Sequence, residues 1–274
     1  MSSLFKQILL ATVCLFIAAG GAGAQSIVIK GSTTVLPIAQ AALEAYMKAN
    51  AGAKLSLSGG GSGEGIKAII DGSADIATSS REIKKAEVER AKSKGVTPVG
   101  TAIAIDAIVP IVHSKNPVQN LSLDQLSQIY QGKITNWKEV GGDNLEIVVI
   151  SRDSSSGTYE AWNELVLKGA KVSPRAQLQA SNGAIVQAVS KNKYALGYIG
   201  LGYLDKSVKA LTVNGVTASE KTALTKEYPV SRFLYMYTNG APKGEPAKFI
   251  NFILSPAGQA LAKKEGFVSL PKKK

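Results

Sequence analysis

The chain of 274 residues carries a formal net charge of +12, with one histidine and one cysteine. That length suits one large domain or two lobes, and a chain with so few thiols has no disulfide framework, so a large core must hold it. Lysines are dispersed through amphipathic segments such as Ile83-Lys84-Lys85-Ala86-Glu87, and only Lys272-Lys273-Lys274 forms a run. No basic stripe is interleaved with aromatics, so nucleic acid is not an expected partner; the charge reads as a solvated basic surface whose field favours a small anion.

In chain order, residues 1–24 come first. Lys6 precedes an apolar run from Ile8 to Ala19, and Ala22-Gly23-Ala24 closes the segment before Gln25. A short positive region, a short apolar core and a small-residue site predict a cleaved export signal. The run falls short of the about 20 residues that span a bilayer. Cys14 lies inside this segment and leaves with it. Val13 stands where a lipidation signal would place a small residue, so a periplasmic protein is expected rather than a lipid-anchored one.

Short β-branched runs then alternate with helical stretches. Strands are expected at 26–30, 54–58 and 74–78, with helices at 37–50, 65–71 and 84–94, before a long apolar run from Val96 to Val112. The second half repeats the style. Helices are expected at 123–130, 159–168 and 184–191, strands at 145–151, 195–199 and 232–238, and one closing helix over 247–264. Strands separated by helices predict an α/β fold of mostly parallel sheets flanked by helices. The chain is expected to cross from one lobe to another near Asp106 and to return near Pro229, giving lobe 1 as 25–106 plus 230–274 and lobe 2 as 107–229.

Three loops carry candidate chemistry, each between an expected strand and an expected helix: Gly31-Ser32-Thr33-Thr34, Gly59-Gly60-Gly61-Ser62-Gly63-Glu64-Gly65, and Arg152-Asp153-Ser154-Ser155-Ser156-Gly157-Thr158. N–H groups at a helix start, aided by the helix dipole, make an anion site. Glycine permits close approach, hydroxyls add neutral donors, and Arg152 can give two parallel bonds to an oxyanion. Any one such loop is ordinarily a turn or a helix cap; three of them, one bearing an arginine, predict a single anion gripped from two sides.

Competing motifs fail. Gly61 to Lys67 lacks the Gly-Lys-Ser/Thr of a nucleotide-binding loop, and Gly61-x-Gly63 is followed by Ile66, not by the third glycine of a dinucleotide fingerprint. His113, the only histidine, sits at an expected strand end and outside a nucleophile elbow. Neither a metal site nor a cofactor is expected.

In this order the residues resemble the substrate-binding protein of the phosphate-specific ABC transporter. The marks are Gly31-Ser32-Thr33-Thr34-Val35-Leu36-Pro37, Gly61-Ser62-Gly63-Glu64-Gly65-Ile66-Lys67, Ile134-Thr135-Asn136-Trp137, Ser156-Gly157-Thr158, Ser181-Asn182-Gly183 and Leu196-Gly197-Tyr198-Ile199. The resemblance implies a two-lobed periplasmic-binding-protein type II fold, no enzymatic activity, and a monomer that delivers inorganic phosphate to an inner-membrane ABC permease. It implies ligand contacts from Ser32, Thr33, Thr34, Ser62, Ser80, Arg152, Ser156, Gly157 and Thr158, with Tyr198 and Trp137 as core or cleft wall. One departure stands out. Where family members place an aspartate that accepts the proton of phosphate and repels sulfate, this chain has Ser80, beside Arg81. Asp106 and Asp153 are the candidate replacements for that acceptor. The alternatives are a binder of sulfate, molybdate or a phosphonate, and, more distantly, a phosphoesterase-like enzyme.

Overall fold

The computed structural model describes residues 26–271. The expected export signal, with Lys6 and Cys14, and the Lys272-Lys273-Lys274 run lie outside the described residues. The order begins β1 (Ser26–Gly31), α1 (Leu36–Ala49), β2 (Lys54–Gly59), α2 (Ser62–Ile70), β3 (Ile76–Ser79), α3 (Lys85–Ser93) and the long β4 (Pro98–His113). It continues through β5 (Asn120–Leu121), α4 (Leu123–Tyr130), a 3-10 turn at Trp137–Val140, β6 (Val148–Arg152), α5 (Gly157–Trp162) and a π turn at Asn163–Leu167. Next come β7 (Gln177–Gln179), α6 (Asn182–Ser190), β8 (Ala195–Gly200), a 3-10 turn at Leu201–Tyr203, β9 (Val208–Ala210), β10 (Thr212–Val213) and α7 (Glu220–Leu224). The strand β11 (Ser231–Asn239) and helices α8 (Gly244–Leu254) and α9 (Pro256–Lys264) close it. Among the described residues no helix is long and apolar enough to cross a membrane.

Local pattern explains most of these elements. β1 buries alternate residues, Ile27 and Ile29, as a strand must when helices cover its inner face. α1 opens with Pro37, which supplies a helical φ where no intrahelical N–H is required, and buries Ile38, Ala39, Ala42 and Tyr46 along one face. α4 is stapled at its start by a reciprocal Ser122 and Gln125 capping box.

Among the described residues nine strands form one mixed sheet in the order β2-β1-β3-β11-β4-β8-β6-β7, with β9 alongside β4, and β5 and β10 pair in parallel as a separate two-stranded sheet. The β1–β2, β1–β3, β6–β7 and β6–β8 pairs are parallel, as strand–helix–strand units require. The expectation of mostly parallel pairing fails in the middle. β11 returns along β4 and is antiparallel to both β4 and β3, and β4 is antiparallel to β8 and β9. Two apolar cores meet along β4. Ile103 and Ala104 pack with Ile27, Ile29, Ile38, Leu234, Met236 and Phe249, whereas Ile108, Val109, Ile111 and Val112 pack with Tyr130, Trp162 and Tyr198. Trp162 stacks on Tyr198 at 4.4 Å between ring centroids, and Tyr130 meets both edge-on or tilted.

Two expected helices change. The closing helix divides at Ser255-Pro256, because proline cannot donate the next helical bond and its ring would strike the preceding turn. Ser255 Oγ instead accepts the Gly258 N–H at 3.3 Å and starts α9. Gly258 lets the two helices turn closely, since a β-carbon there would lie 2.3 Å from the Phe252 carbonyl oxygen. The helix expected over 159–168 begins at Gly157 and converts to the π turn after Trp162. The short strands β5, β7, β9 and β10 and the one-turn α7 have too few residues for a periodic signal.

Candidate functional site

Strand ends bring the three loops together. Ser32 follows β1, and its N–H donates to the Thr78 carbonyl of β3 at 2.9 Å. Gly31 makes this possible: its φ is +139°, and a β-carbon there would lie 2.2 Å from the same carbonyl oxygen. Ser32 Oγ accepts the Thr34 N–H at 3.1 Å, turning the loop into α1. Ser62 starts α2 after Gly61, which has a φ of +115°, and its hydroxyl accepts the Ser80 N–H at 3.0 Å and lies 3.3 Å from Ser80 Oγ.

The third loop meets the first two from the opposite core. Ser156 Oγ accepts the Tyr159 N–H at 3.2 Å and caps α5. Thr158 Oγ1 lies 2.8 Å from Thr34 Oγ1. Gly63 N–H donates to the Ser155 carbonyl at 3.0 Å, and Ser155 Oγ lies 3.1 Å from the Gly60 carbonyl oxygen. Gly157 stands directly against Ser62. Ser32, Thr33, Thr34, Ser62, Ser80, Ser156 and Thr158 are all buried here, so hydroxyls from loops 124 residues apart share one small polar volume.

The buried charges are unevenly matched. Arg152, 1% exposed, donates from Nε to the Gln179 carbonyl and from Nη2 to the Ala180 carbonyl, each at 2.9 Å. Its Nη1 is buried with no hydrogen-bond partner among the described residues, and burial pulls the guanidinium below its usual range. Asp106, fully buried in β4, accepts Arg232 Nε at 3.1 Å and Nη2 at 2.8 Å on Oδ2, and the Leu201 N–H at 3.0 Å on Oδ1. Burial raises the carboxyl and lowers the Arg232 guanidinium, each opposed by the other's charge. Asp153, half-buried, accepts the Ser155 N–H and hydroxyl on Oδ1, which orders the loop behind Ser156.

Three further residues join this cluster, and no role had been read for them from the sequence. Arg232, at the start of β11, donates to the Ser80 and Gly157 carbonyls at 3.0 and 3.2 Å and to Thr158 Oγ1 at 3.0 Å. Asn182 Nδ2 donates to Thr34 Oγ1 at 3.1 Å while its Oδ1 accepts the Gly200 N–H. Tyr203 donates its hydroxyl to the Thr33 carbonyl. Asn182 lay within the quoted Ser181-Asn182-Gly183, so a polar residue at a helix start was visible there; Arg232 carried no local signal.

Other candidates lie elsewhere. Arg81 turns away from the hydroxyls and pairs with Glu87 and with Glu160 of α5, which also meets Lys84. Tyr198 and Trp137 are core: Tyr198 sits 3.0 Å from Ser151 Oγ, accepts the Arg152 N–H, and is pushed up to about 12 by burial, while Trp137 Nε1 donates to the Tyr194 carbonyl. His113 Nδ1 accepts the Lys115 N–H. Among the described residues no group of His, Cys, Asp and Glu is arranged to hold a metal ion.

Two cores joined by long central strands, with strand-to-helix loops from each meeting at a buried polar volume, define a solute-binding architecture. A model of the PBP superfamily domain matches residues 17–257. The chain is 36% identical over 262 residues to Protein SphX of Synechococcus elongatus, covering 89% of this chain and 77% of that protein. It is 33% identical over 254 residues to the phosphate-binding protein PstS of Borreliella burgdorferi, covering 88% and 89% respectively. A putative phosphate ABC transporter substrate-binding protein from Clostridium perfringens, solved with bound phosphate, aligns with a TM-score of 0.84 and 38% identity over 90% of this chain and 100% of that one. The chain therefore belongs to the PBP superfamily, within the family of ABC-transporter substrate-binding proteins that includes the PstS phosphate-binding proteins.

Proposed function

We propose that this protein binds inorganic phosphate where the three loops meet and delivers it to an ABC-type importer in the membrane. The observation that carries this reading is Arg152 Nη1, a buried guanidinium nitrogen left without a partner beside a cluster of buried hydroxyls. A buried positive charge without a counter-ion is costly, and an anion beside it removes that cost. Ser32, Thr33, Thr34, Ser62, Ser80, Ser156 and Thr158 are the neutral donors, and Gly157 admits the ligand closely. The relatives named for phosphate binding and the phosphate-bound structure support this anion over molybdate or a phosphonate.

The working cycle follows from the two cores. Residues 25–106 with 230–274 form one lobe and 107–229 the other, turning about β4 and β11. The open form admits the anion, and closure replaces its water shell with fixed donors. Closure requires that the ligand bind the closed state better than the open one. The protein works as an exported monomer, with residues 1–24 removed, and neither cofactor nor catalytic step is assigned: no nucleophile is paired with a base at the site.

Calorimetric titration of the chain from Gln25 onward, stripped of anion, is expected to show one tight phosphate site per chain. Phosphate at 100-fold excess over Kd should stabilise the protein by about 2.7 kcal/mol and raise its Tm by roughly 5–10 °C. A chain that neither releases heat nor gains stability with phosphate does not have this function.

Glu160 offers a test of closure. It lies on α5 in one lobe and pairs with Arg81 and Lys84 in the other, so Glu160→Gln removes attraction that exists only when the lobes meet. Lys84 is half-exposed and its pair contributes about 1 kcal/mol or less, whereas Arg81 is largely buried but keeps Glu87 as a partner when Glu160 is lost. Phosphate affinity is expected to fall about threefold to fivefold, with a weaker dependence on added sodium chloride than in the parent. An unchanged Kd and salt response would show that the pair does not assist closure.

A further inference from the structure

We propose that a groove behind the strands joining the two cores is a second ligand site. It takes a small amphipathic anion, a medium-chain fatty acid, whose binding favours the closed arrangement of the lobes. The coupling rests on the phosphate reading above; the site itself does not. The groove measures about 470 Å3, within the roughly 300–1,000 Å3 of small-molecule sites. Ile105 and Tyr228 are buried and form its floor, and Leu224, Pro229, Phe233 and Pro271 form its walls. Among the described residues six large apolar side chains are exposed, and two of them, Leu224 at 40% and Phe233 at 42%, meet here. Apolar surface gathered in one concave place with a charged rim marks a ligand groove.

The β4–β11 register sets its place. Phe233 lies opposite Ile105, and Arg232 lies opposite Asp106. Successive side chains on a strand point to opposite faces, so Phe233 and Ile105 face away from the anion cluster that Arg232 and Asp106 join. The two hydroxyls at the groove are spent: Tyr228 donates to the Ile108 carbonyl and Ser231 to the Tyr228 carbonyl, each at 3.0 Å. Among the described residues no acidic side chain lines it. Glu227 follows Lys226 in sequence without lining the groove, and Glu220 pairs with Lys263 at 2.9 Å. Lys226 does line it, is exposed, and forms no ion pair among the described residues. The chain runs on from Pro271 as Lys272-Lys273-Lys274, so three more cations follow a groove residue directly in sequence. An apolar floor with an unpaired cation at its rim matches an apolar chain that carries one carboxylate.

The size of the groove suits a small molecule, not a protein partner, which covers about 800 Å2 on each side of a stable interface. Both lobes supply its walls: Leu224 and Pro229 belong to one, Phe233 and Pro271 to the other. The groove has its volume while Thr34 and Thr158, one from each lobe, stand 2.8 Å apart across the anion cluster. A ligand that fits the groove in this arrangement shifts the lobes toward it. Phosphate and the fatty acid then tighten each other by the same factor.

The test is calorimetry at pH 8 with decanoate, in phosphate-free buffer and again with the protein saturated with phosphate. Decanoate is expected to bind once per chain, and decyltrimethylammonium, of equal chain length and opposite charge, about tenfold more weakly or worse. Saturating phosphate should tighten decanoate about fivefold, and decanoate should tighten phosphate equally. Lys226→Gly removes the cation at a φ of +60°, which glycine adopts without strain, and should weaken decanoate about threefold to fivefold. Phe233→Thr removes a wall with a residue that suits a strand, and should weaken it about tenfold. In both variants the Kd for phosphate alone should stay within about twofold of the parent value. Phosphate binding without decanoate binding overturns the inference and leaves the phosphate reading intact. Decanoate that phosphate displaces does the same, since that places decanoate in the anion cluster. Decanoate affinity unchanged in both variants, or unchanged by phosphate, also overturns it. Decanoate held in the groove by a protein that takes no phosphate upholds the site and overturns the phosphate reading, and the coupling with it.

Discussion

Gly157→Ala is expected to abolish tight phosphate binding while leaving the protein folded. A β-carbon at this position would lie 2.2 Å from Ser62 Oγ, 2.8 Å from Ser62 Cβ and 2.8 Å from Ser80 Oγ. All three atoms belong to short, buried side chains close to their backbones, so none can swing aside. The clash exists only while the loops of the two lobes are together, because Gly157 belongs to one side and Ser62 and Ser80 to the other. Opening the cleft removes it. The helix itself gains only slightly, because Gly157 is the first residue of α5 and the about 1 kcal/mol preference for alanine over glycine applies to helix interiors. The two effects have opposite signs in two measurements. The Kd for phosphate should rise at least 100-fold, whereas the Tm without ligand should stay level or rise by no more than about 2 °C. An unchanged Kd would mean that the ligand is not held in the closed arrangement.

Arg152→Gln is expected to cost as much affinity through charge instead of shape. The guanidinium is almost wholly buried, and two of its nitrogens hold the Gln179 and Ala180 carbonyls in place. Nη1 has no hydrogen-bond partner among the described residues and is the nitrogen proposed to meet the anion. Charge-assisted bonds contribute about 1.5–3 kcal/mol each, and leaving an anion in a buried site without its counter-charge costs about 3–5 kcal/mol, so affinity should fall by roughly 100-fold to 1000-fold. Without ligand the sign differs. Removing a buried charge that has no counter-ion relieves its desolvation, while glutamine retains an amide for one of the two carbonyls, so the anion-free stability should change by about 1 kcal/mol or less. Arg152→Lys is expected to recover only part of the loss, because a single ammonium cannot hold both carbonyls and still reach the anion. Titration combined with thermal unfolding checks both arms. Loss of stability matching the loss of affinity would make Arg152 a structural residue alone.

Much of the local structure was legible in the amino-acid sequence, and for identifiable reasons. The alternation in Ser26-Ile27-Val28-Ile29-Lys30 and the spacing of Ile38, Ala42 and Tyr46 are short-range patterns, readable within one element. The three small-residue loops declared themselves by composition, since Gly31 and Gly61 occupy backbone conformations that side chains disfavour. Residue type also announced the chemistry of the loops: hydroxyls, glycine and one arginine make donors for an anion, and the single histidine, His113, lies outside any nucleophile elbow. Where local rules competed, the reading slipped. Pro256 was absorbed into a helix that it divides, and the Trp162–Asn163 junction, with no proline or glycine to mark it, hid a π turn.

What only the tertiary structure decided is the pairing of segments far apart in the chain. Periodicity says that a segment is a strand but not which neighbour it takes or in what direction, and so the antiparallel β4–β11 pairing was missed. That register sets Arg232 opposite Asp106, 126 residues away, and a slip of one residue would have turned Arg232 to the other face of the sheet. Asp106 was a candidate acceptor from its place at the expected crossover between the lobes; the fold gives that carboxylate a partner in Arg232. The candidate donors were identified by residue type alone. Their convergence, and which of them carry an unspent charge, followed from long-range contacts that no window of sequence contains.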